Sequence, residues 1–291
     1  MTPGGAASNA APTLALDIGA SKVEVGLVST DGIVLASERR ALSDGGDELF
    51  ELVAAMVKRI REGSASTLLG VACAGPMTND GEEVSPLNIA QWRSFPLRAE
   101  LSRRLGIDVF VDGDARALAL AEGQYGAARD DGSYLSMVVS TGVGGGFVMN
   151  GRLVDGATGN AGHVGHLNVV PDGRPCACGS RGCLEAEASG LAIEAITGRP
   201  PSDADAGSRH RTARLVGRAV GTLSAVLDFT RCYVAGSVAL GYGDQFFRGA
   251  NEGAREVATM AYCSGLTIAP SALGRTGPLL GAALVGRRGA T

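Results

Sequence analysis

The stretch from Val138 to Gly190 constrains the fold of this chain more than any other part. In three pieces it contains VVSTGVGGGFVMNG, then GNAGHVGHLNVV, then CACGSRGCLEAEASG. The first piece places a glycine-rich turn after a β-type run, and glycine leaves backbone N–H groups there free to bind an anion. A histidine and three closely spaced cysteines follow. The segment therefore predicts a phosphate-binding turn beside a metal-binding loop, and its alternative is a glycine-rich hairpin corner.

The histidine and the cysteines have the composition of a closed metal site. His166, Cys176, Cys178 and Cys183 supply one nitrogen and three thiolates, a common ligand set for tetrahedral zinc. The spacing Cys-x-Cys-x₄-Cys forces the thiols close together. Four protein ligands leave no open position for water, so we expect a structural zinc; the alternative is a group of unligated thiols.

Composition excludes several classes of function. Hydrophobic residues make up 45% of the 291 residues and charged residues 19%, which is ordinary for a globular protein. The net charge of −4 argues against nonspecific binding to nucleic acid or to an anionic membrane. No apolar run approaches the ~20 residues that span a bilayer. Residues 1–12 resemble no secretory signal, so we expect a disordered tail, a cytoplasmic location and reduced cysteines.

Hydrophobic periodicity predicts alternating strands and helices. The predicted strands are 13–18, 22–28, 33–35, 68–72, 109–111, 135–140, 146–149 and 232–235. The predicted helices are 49–60, 97–105, 115–122, 212–227 and 278–285, and residues 198–210 are expected to form a surface loop. The order strand, hairpin, helix, strand occurs twice, which favours an α/β protein with two lobes and a cleft between them.

Two aspartates stand where strands end. Asp17 leads into the tight turn Gly19–Lys22 and could hold Mg²⁺ through water, or simply cap a hairpin. Asp114 follows a strand and begins a helix, at the edge where ligands of open α/β sheets gather. It could accept a proton from a sugar hydroxyl, but a helix N-cap is the alternative. Asp112 and Glu122 are expected to be surface or cap residues.

Several motifs together make the chain similar to a known family. It resembles the ROK family (repressors, open reading frames and kinases), sugar kinases of the actin-like ATPase superfamily. The resemblance covers residues 13–285 and rests on DIGASK, SPLNIAQW, GDARALALAE, STGVGGG, AGHVGH, CACGSRGCLE and LGRTGPLLGAAL. It implies a two-lobed actin-like ATPase (ribonuclease H-like) fold with the active site between the lobes. The implied lobes are 13–114 with helix 278–291, and 115–277 with the zinc loop.

The resemblance also implies an activity. It implies an ATP-dependent kinase that phosphorylates the 6-hydroxyl of a hexose, either glucose or a relative such as an amino sugar. A C7-cyclitol kinase and a sugar-binding regulatory protein without catalysis are the alternatives. Family repressors carry an N-terminal helix-turn-helix domain, for which the dozen residues before the first strand are too few. The implied partners are the sugar and ATP, with no nucleic acid or membrane, and the chain is expected to form a homo-dimer or homo-tetramer.

Site residues follow position by position from the resemblance. Asp114 becomes the catalytic base, and Asp17 the residue associated with Mg²⁺. The implied sugar-binding residues are Gly75, Asn88, Gly113, His163, His166 and Glu185. The implied nucleotide-binding residues are Asp17, Gly19, Ser21, Lys22, Thr141, Gly142, Gly144, Gly236 and Ser237. The implied zinc ligands are His166, Cys176, Cys178 and Cys183.

Three positions depart from the family pattern. Gly113 stands where an asparagine is usual, Arg116 replaces another asparagine, and His163 replaces a glutamate. The first and third changes alter groups expected to hydrogen-bond the sugar ring. An unmatched buried donor or acceptor costs roughly 1–3 kcal/mol, which is enough to change which sugar is preferred.

Overall fold

The computed structural model describes residues 11–19, 21–42, 46–78, 81–87 and 89–290. Their strands form two five-stranded sheets. The first has the order β3-β2-β1-β4-β5, with β1 Thr13–Ile18, β2 Lys22–Val28, β3 Val34–Ala41, β4 Leu68–Cys73 and β5 Asp108–Gly113. The second has the order β10-β9-β6-β7-β8, with β6 Tyr134–Val139, β7 Val143–Met149, β8 Arg152–Leu153, β9 Arg231–Ala235 and β10 Thr267–Pro270.

Both sheets combine parallel and antiparallel strands in the same way. β1 is antiparallel to β2 and parallel to β4, and β6 is antiparallel to β7 and parallel to β9. The helices are α1 Gly46–Arg61, α2 Leu97–Leu105, α3 Asp114–Tyr125, α4 Leu184–Ala188, α5 Gly190–Thr197, α6 Ala206–Leu227, α7 Ser237–Tyr242, α8 Asp244–Arg255 and α9 Gly277–Gly289. This repeated arrangement confirms the predicted α/β class.

Each sheet has its own apolar core, and a third cluster joins them through α3 and α9. The C-terminal helix α9 returns to the first sheet, where glycines permit close contact. A Cβ on Gly70 of β4 would lie only 1.8 Å from the carbonyl oxygen of Ala282. A Cβ on Gly281 would lie 2.5 Å from the carbonyl oxygen of Ala117 in α3. Helix α9 therefore touches both the first sheet and the helix that leads into the second.

The strand register places the carboxyl ends of β1, β4 and β5 side by side in the first sheet. Ile18 pairs with Cys73, and Cys73 pairs with Gly113, at the carboxyl ends of three parallel strands. Asp17 is one residue before this level and Asp114 one residue after it. Neighbouring parallel strands end at one edge of a sheet, which is where ligands of α/β folds bind. The topology thus places the two aspartates at a common edge.

Three local predictions were wrong. Helix α6 begins at Ala206, inside the predicted loop 198–210, because the Asp205 side chain accepts the N–H of Ser208 and caps the helix. Strand β7 begins at Val143 and not at residue 146. Asp112 and Glu122 are buried rather than exposed.

The remaining expectations concern the tail and membranes. Residues 1–10 of the predicted disordered tail lie outside the described residues. Among the helices that the structure describes, none combines the length and apolarity needed to cross a bilayer.

Candidate active site

Asp114 is the first residue of α3 and directly follows the carboxyl end of β5. Its Oδ1 accepts the N–H of Ala115 at 2.7 Å. The side chain has an exposed face toward the cleft, but protein surrounds it on the other sides. This loss of surrounding water raises the pKa of Asp114; the Ala115 N–H lowers it, and the charge of Glu185 raises it again. The carboxyl group is therefore a stronger proton acceptor than an ordinary aspartate.

Asp17 is the penultimate residue of β1 and is 5% exposed. Burial raises the pKa of Asp17 to about 7, and the charge of Asp114 adds to the effect while Lys22 opposes it. The two carboxylates thus influence each other electrostatically. A cation placed beside them would relieve this repulsion, which fits the predicted role of Asp17 in holding Mg²⁺.

The first predicted phosphate turn follows Asp17 directly. The N–H of Gly19 donates to the carbonyl oxygen of Lys22 at 3.0 Å, which closes the turn between β1 and β2. Ser21 lies in the bend, and Lys22 begins β2. The three residues therefore stand together next to the carboxylate, as predicted.

The second turn is tied to Glu185. The N–H of Ser140 donates to the carbonyl oxygen of Gly142 at 2.9 Å, so Thr141 and Gly142 form a tight turn between β6 and β7. The N–H of Val143 donates to Glu185 Oε2 at 2.8 Å. A Cβ on Gly142 would lie 2.6 Å from the same oxygen. Glu185 at the start of α4 is thus held against this turn and within electrostatic reach of Asp114.

The glycines after Val143 serve packing rather than the turn. Gly144, predicted to bind phosphate, lies in β7, and a Cβ there would be 3.0 Å from the Cβ of Ala115. A Cβ on Gly146 would be 2.9 Å from the Cα of Arg116. These glycines allow α3 to approach β7. For this half of the motif, the structure agrees with the alternative interpretation, a glycine-rich hairpin corner.

The predicted adenosine-side turn adjoins the second turn. Gly236 follows β9 with φ of +102°, and a Cβ there would lie 2.3 Å from the carbonyl oxygen of Val139. Only glycine fits both conditions. Ser237 Oγ lies 2.9 Å from Ser140 Oγ. Gly236 and Ser237 therefore border the same end of the cleft as Thr141 and Gly142.

The predicted sugar side combines residues that follow strands of both sheets. A Cβ on Gly75 would lie 3.2 Å from Cε1 and Nε2 of His163. The rings of His163 and His166 are 6.0 Å apart. Burial lowers the pKa of His163, and the neighbouring His166 lowers it further, so the ring is neutral near neutral pH. Gly113 precedes Asp114 and offers no side chain, while Asn88 lies outside the described residues.

The four predicted metal ligands come together in one cluster. Their ligand atoms all lie within 4.8 Å of one another; Cys176 Sγ is 3.6 Å from His166 Nδ1, and Cys178 Sγ is 3.7 Å from Cys183 Sγ. A tetrahedral site with Zn–S bonds of about 2.3 Å and Zn–N bonds of about 2.0–2.1 Å has edges of about 3.6–3.8 Å. The donor set and its dimensions fit a metal ion.

Two residues that the sequence did not identify as functional link the parts of the site. Arg116 pairs with Asp112 across the junction of β5 and α3, and the Asp-x₃-Arg spacing could have signalled this pair. Asn160 bonds the backbone of Met77, donating from Nδ2 to the carbonyl oxygen at 2.7 Å and accepting the N–H on Oδ1 at 3.0 Å. These partners are 83 positions apart, and nothing in the local sequence indicates the contact.

Known proteins resemble this chain in sequence and structure. The glucokinase of Thermotoga maritima is 35% identical over 184 residues, which are 62% of this chain and 58% of that protein. The chain thus spans less than two thirds of that relative. The N-acetylmannosamine kinase of Escherichia fergusonii is 34% identical over 252 residues, 79% of this chain and 84% of that protein.

A solved structure agrees over nearly the whole fold. The ROK family glucokinase from Streptomyces griseus, in complex with glucose and AMPPNP, has a TM-score of 0.85 at 27% identity and covers 95% of this chain and 99% of its own. The predicted actin-like ATPase fold is therefore confirmed. The ROK family model matches residues 13–288, and the chain belongs to the ROK family.

Proposed function

We propose that this protein is an ATP-dependent sugar kinase that transfers the γ-phosphoryl group of ATP to the 6-hydroxyl of a hexose. One observation carries the proposal. Asp114 follows the carboxyl end of β5, at the sheet edge to which β1 brings Asp17, and Glu185 accepts the N–H of Val143 at the second turn; the charge of Asp114 raises the pKa of Asp17, and that of Glu185 raises the pKa of Asp114. A base at the meeting point of a phosphate site and a hydroxyl site is the arrangement that phosphoryl transfer requires.

In this mechanism, Asp114 orients the hydroxyl and takes its proton as the hydroxyl oxygen bonds to the γ-phosphorus, while the bond from that phosphorus to the bridging oxygen breaks and ADP leaves. Its raised pKa favours that transfer. The turns at Gly19–Lys22 and Thr141–Gly142 position the phosphates, with Gly236 and Ser237 at the adenosine end. Asp17 would hold Mg²⁺ through water, and the ion would neutralise charge on the phosphates. Rate enhancement comes mainly from positioning the hydroxyl against the γ-phosphate. A change that misaligns these two groups therefore lowers turnover even when Asp114 is intact.

We assign zinc to the Cys₃His cluster as a structural ion. Its four protein ligands complete a tetrahedral site, so the ion adds folding free energy rather than a reactive water. Cys183 stands two residues before Glu185, and His166 adjoins His163. The metal therefore fixes the loop that presents the predicted sugar ligands.

The wider proposal concerns lobes, assembly and location. The proposed lobes are 13–114 with helix 278–291, and 115–277, closing on sugar and ATP. We propose a homo-dimer or homo-tetramer in the cytoplasm. The cysteines in the described part of the chain are free thiols, as a reducing compartment would keep them.

Glucose and N-acetylmannosamine are the first acceptors to compare. The similarity to a glucokinase structure supports glucose. The similarity to an N-acetylmannosamine kinase, over 79% of the chain, supports the second sugar. Gly113 and His163 alter the groups that face the sugar ring, which also keeps amino sugars and C7 cyclitols among the candidates.

The test is an ADP-release assay with Mg²⁺ and ATP across glucose, N-acetylmannosamine, glucosamine, fructose and a C7 cyclitol. We expect turnover on one of these acceptors, with ³¹P NMR locating the new phosphate on the 6-oxygen of a hexose. Absence of turnover on all of them, from metal-loaded protein that binds ATP, would contradict the kinase and favour a regulatory binding protein.

A further inference from the structure

We propose that Arg116 is a positioning residue that holds the segment 154–163 against the junction of β5 and α3. This segment, here named the acceptor loop, runs from the end of β8 to His163. The inference deepens the proposed function, on which its kinetic test rests, and a second test is independent of activity. It assigns to Arg116 an indirect role in binding the sugar.

The acceptor loop needs anchors outside itself. Gly156, Gly159 and Gly162 have φ of +75°, +76° and +109°, conformations in which the backbone follows neither a helix nor a strand. The N–H of Ala161 donates to the carbonyl oxygen of Asp155 at 3.2 Å, which closes the loop on itself but fixes it to nothing else. Contacts from other elements must therefore set where the loop stands.

Arg116 supplies such contacts to both ends of the loop. Its Nη1 donates to the carbonyl oxygen of Val154 and, at 3.4 Å, to that of Ala161. Its Nη2 donates to Asp155 Oδ1 at 2.6 Å. The loop's beginning and its turn back toward the cleft are thus held by one guanidinium group.

The same group is anchored beside the catalytic aspartate. Arg116 Nε donates to Asp112 Oδ1 at 2.5 Å, and Nη2 donates to Asp112 Oδ2 at 3.2 Å. Asp112 and Arg116 stand two residues before and two residues after Asp114. A movement of the loop relative to Arg116 is therefore a movement relative to the proposed base.

The guanidinium group has no donor left for a substrate. Arginine carries five N–H donors, and these contacts use one from Nε and two from each Nη. The side chain is also 6% exposed. Arg116 therefore acts through the loop, and His163 and Asn160 at the loop's end are the groups that it places.

Neighbouring residues favour this arrangement. A Cβ on Gly113 would lie 3.2 Å from Arg116 Cδ, so the absence of a side chain there leaves room for the arginine. Burial would raise the pKa of Asp155, but hydrogen bonds from Arg288 and Arg116 lower it below its usual value. Asp155 is thus ionised at neutral pH, as a partner of two arginines should be.

The kinetic test compares Arg116→Met and Arg116→Lys with the wild type. Lysine keeps the charge beside buried Asp112 but lacks the planar fork, so it cannot make all five contacts. We expect the acceptor KM to rise roughly ten-fold or more in the methionine variant, because several charge-assisted bonds are lost, and less in the lysine variant. The KM for ATP should stay within about two-fold, because the hydrogen bonds of Arg116 reach Asp112 and the acceptor loop and none of the described residues of the nucleotide turns.

Two comparisons separate positioning from simple instability. Partial unfolding lowers the active fraction and therefore kcat. It does not change the KM for the acceptor relative to the KM for ATP. Arg116→Lys retains a cation for Asp112, so it tests the proposal even if Arg116→Met fails to fold. Arg214→Met removes an α6 arginine from its surface ion pair with Glu256, which follows α8, and it should leave both KM values unchanged. Equal changes in both KM values, or none, would overturn the proposal.

Hydrogen–deuterium exchange supplies the readout that needs no activity. Amides of 154–163 should exchange faster in Arg116→Lys than in the wild type, while the β1–β4 ladder should not change. If the wild type phosphorylates no acceptor, the proposed function fails, and loop exchange alone decides the role of Arg116. Unchanged exchange in the loop would refute that role even in an active kinase.

Discussion

Asp17 and Asp114 are electrostatically coupled, so the protonation of one depends on the charge of the other. Burial raises the pKa of both, and the charge of Asp114 raises the pKa of Asp17 further. The charge of Glu185 also raises the pKa of Asp114. At the scale of single residues, the two carboxyl groups have different tasks in the proposed mechanism: Asp114 takes a proton and Asp17 holds a cation.

The assignment of Asp114 as the base predicts a loss of turnover in Asp114→Asn. We expect kcat to fall about 10²–10⁴-fold, with the acceptor Kd changed only a few-fold, because the amide keeps the shape but cannot accept the proton. Steady-state kinetics and calorimetric sugar binding measure the two effects. Asp244→Asn, at the equivalent first position of α8, is the matched control and should keep wild-type kcat. Normal turnover in Asp114→Asn would show that Asp114 is not the catalytic base.

The raised pKa of Asp17 predicts proton release when Mg²⁺ and a non-hydrolysable ATP analogue bind. With a pKa of about 7 the carboxyl is partly protonated at neutral pH, and a cation favours its ionised form, so net proton release should accompany binding. Calorimetry in buffers of different ionisation enthalpy measures this release. It should vanish in Asp17→Asn and decrease as the pH rises well above 7. Equal release from the wild type and the variant would contradict the assignment.

The same shift determines how Asp17 affects folding. Between the ordinary aspartate pKa of 3.8 and about 7, the folded protein holds a proton that the unfolded chain has lost. The contribution of this group to the free energy of unfolding therefore decreases as pH rises through that window in cation-free protein.

At the scale of elements, one glycine-rich segment performs two different tasks. Thr141 and Gly142 form the turn, whereas Gly144 and Gly146 belong to β7 and let α3 pack closely against it. The proposed zinc loop also contains a glycine that permits close packing. A Cβ on Gly182 would lie only 1.7 Å from the carbonyl oxygen of Val170. Glycine in both segments permits close packing of the backbone against neighbouring elements.

The metal cluster predicts that stability depends on a bound ion. Removing zinc with a strong chelator should lower the melting temperature, because four ligands would lose their common partner. Metal analysis should find one zinc per chain in the wild type and little in Cys178→Ser. Cys263→Ala, outside the cluster, should keep its zinc. An unchanged melting curve after proven metal loss would contradict a structural role.

At the scale of the whole molecule, the link between Asn160 and Met77 joins chain segments that follow strands of different sheets. Met77 stands shortly after β4, and Asn160 stands after β8. The two hydrogen bonds lie close in sequence to Gly75 and His163, which also approach each other. In the proposed mechanism they favour closure of the proposed lobes on the sugar.

Loss of this link should weaken acceptor binding. Two hydrogen bonds contribute about 1 kcal/mol each, so Asn160→Ala should raise the acceptor KM by roughly 5–30-fold while the KM for ATP changes little. Asn251→Ala is the matched control: its amide also makes several bonds to backbone groups, but between α8 and β10 of one sheet. It should lower the melting temperature without separating the KM values. A normal acceptor KM in Asn160→Ala would show that the link does not hold the cleft.

Local patterns in the sequence accounted for much of this protein. Strand β1 and helix α2 have the predicted bounds, because apolar periodicity and turn residues act over a few positions. The metal cluster was also predictable, since close spacing along the chain forces its cysteines together. The predicted roles of Asp17 and Asp114 came from the family resemblance. Their local sequence is equally compatible with a hairpin turn and a helix cap, so it could not have assigned these roles.

Tertiary structure alone decided which distant groups meet. Arg116 and Asp155 are 39 positions apart, and Asn160 and Met77 are 83 apart. Such contacts depend on how two sheets and their connecting helices pack, and no short-range pattern encodes that geometry. The division of the glycine-rich segment had the same origin: Gly144 became part of a strand because α3 packs against it. The sequence by itself therefore determined the α/β class, elements such as β1 and α2, the Cys₃His cluster and the family, because these depend on local patterns, and packing determined how residues 154–163 are held.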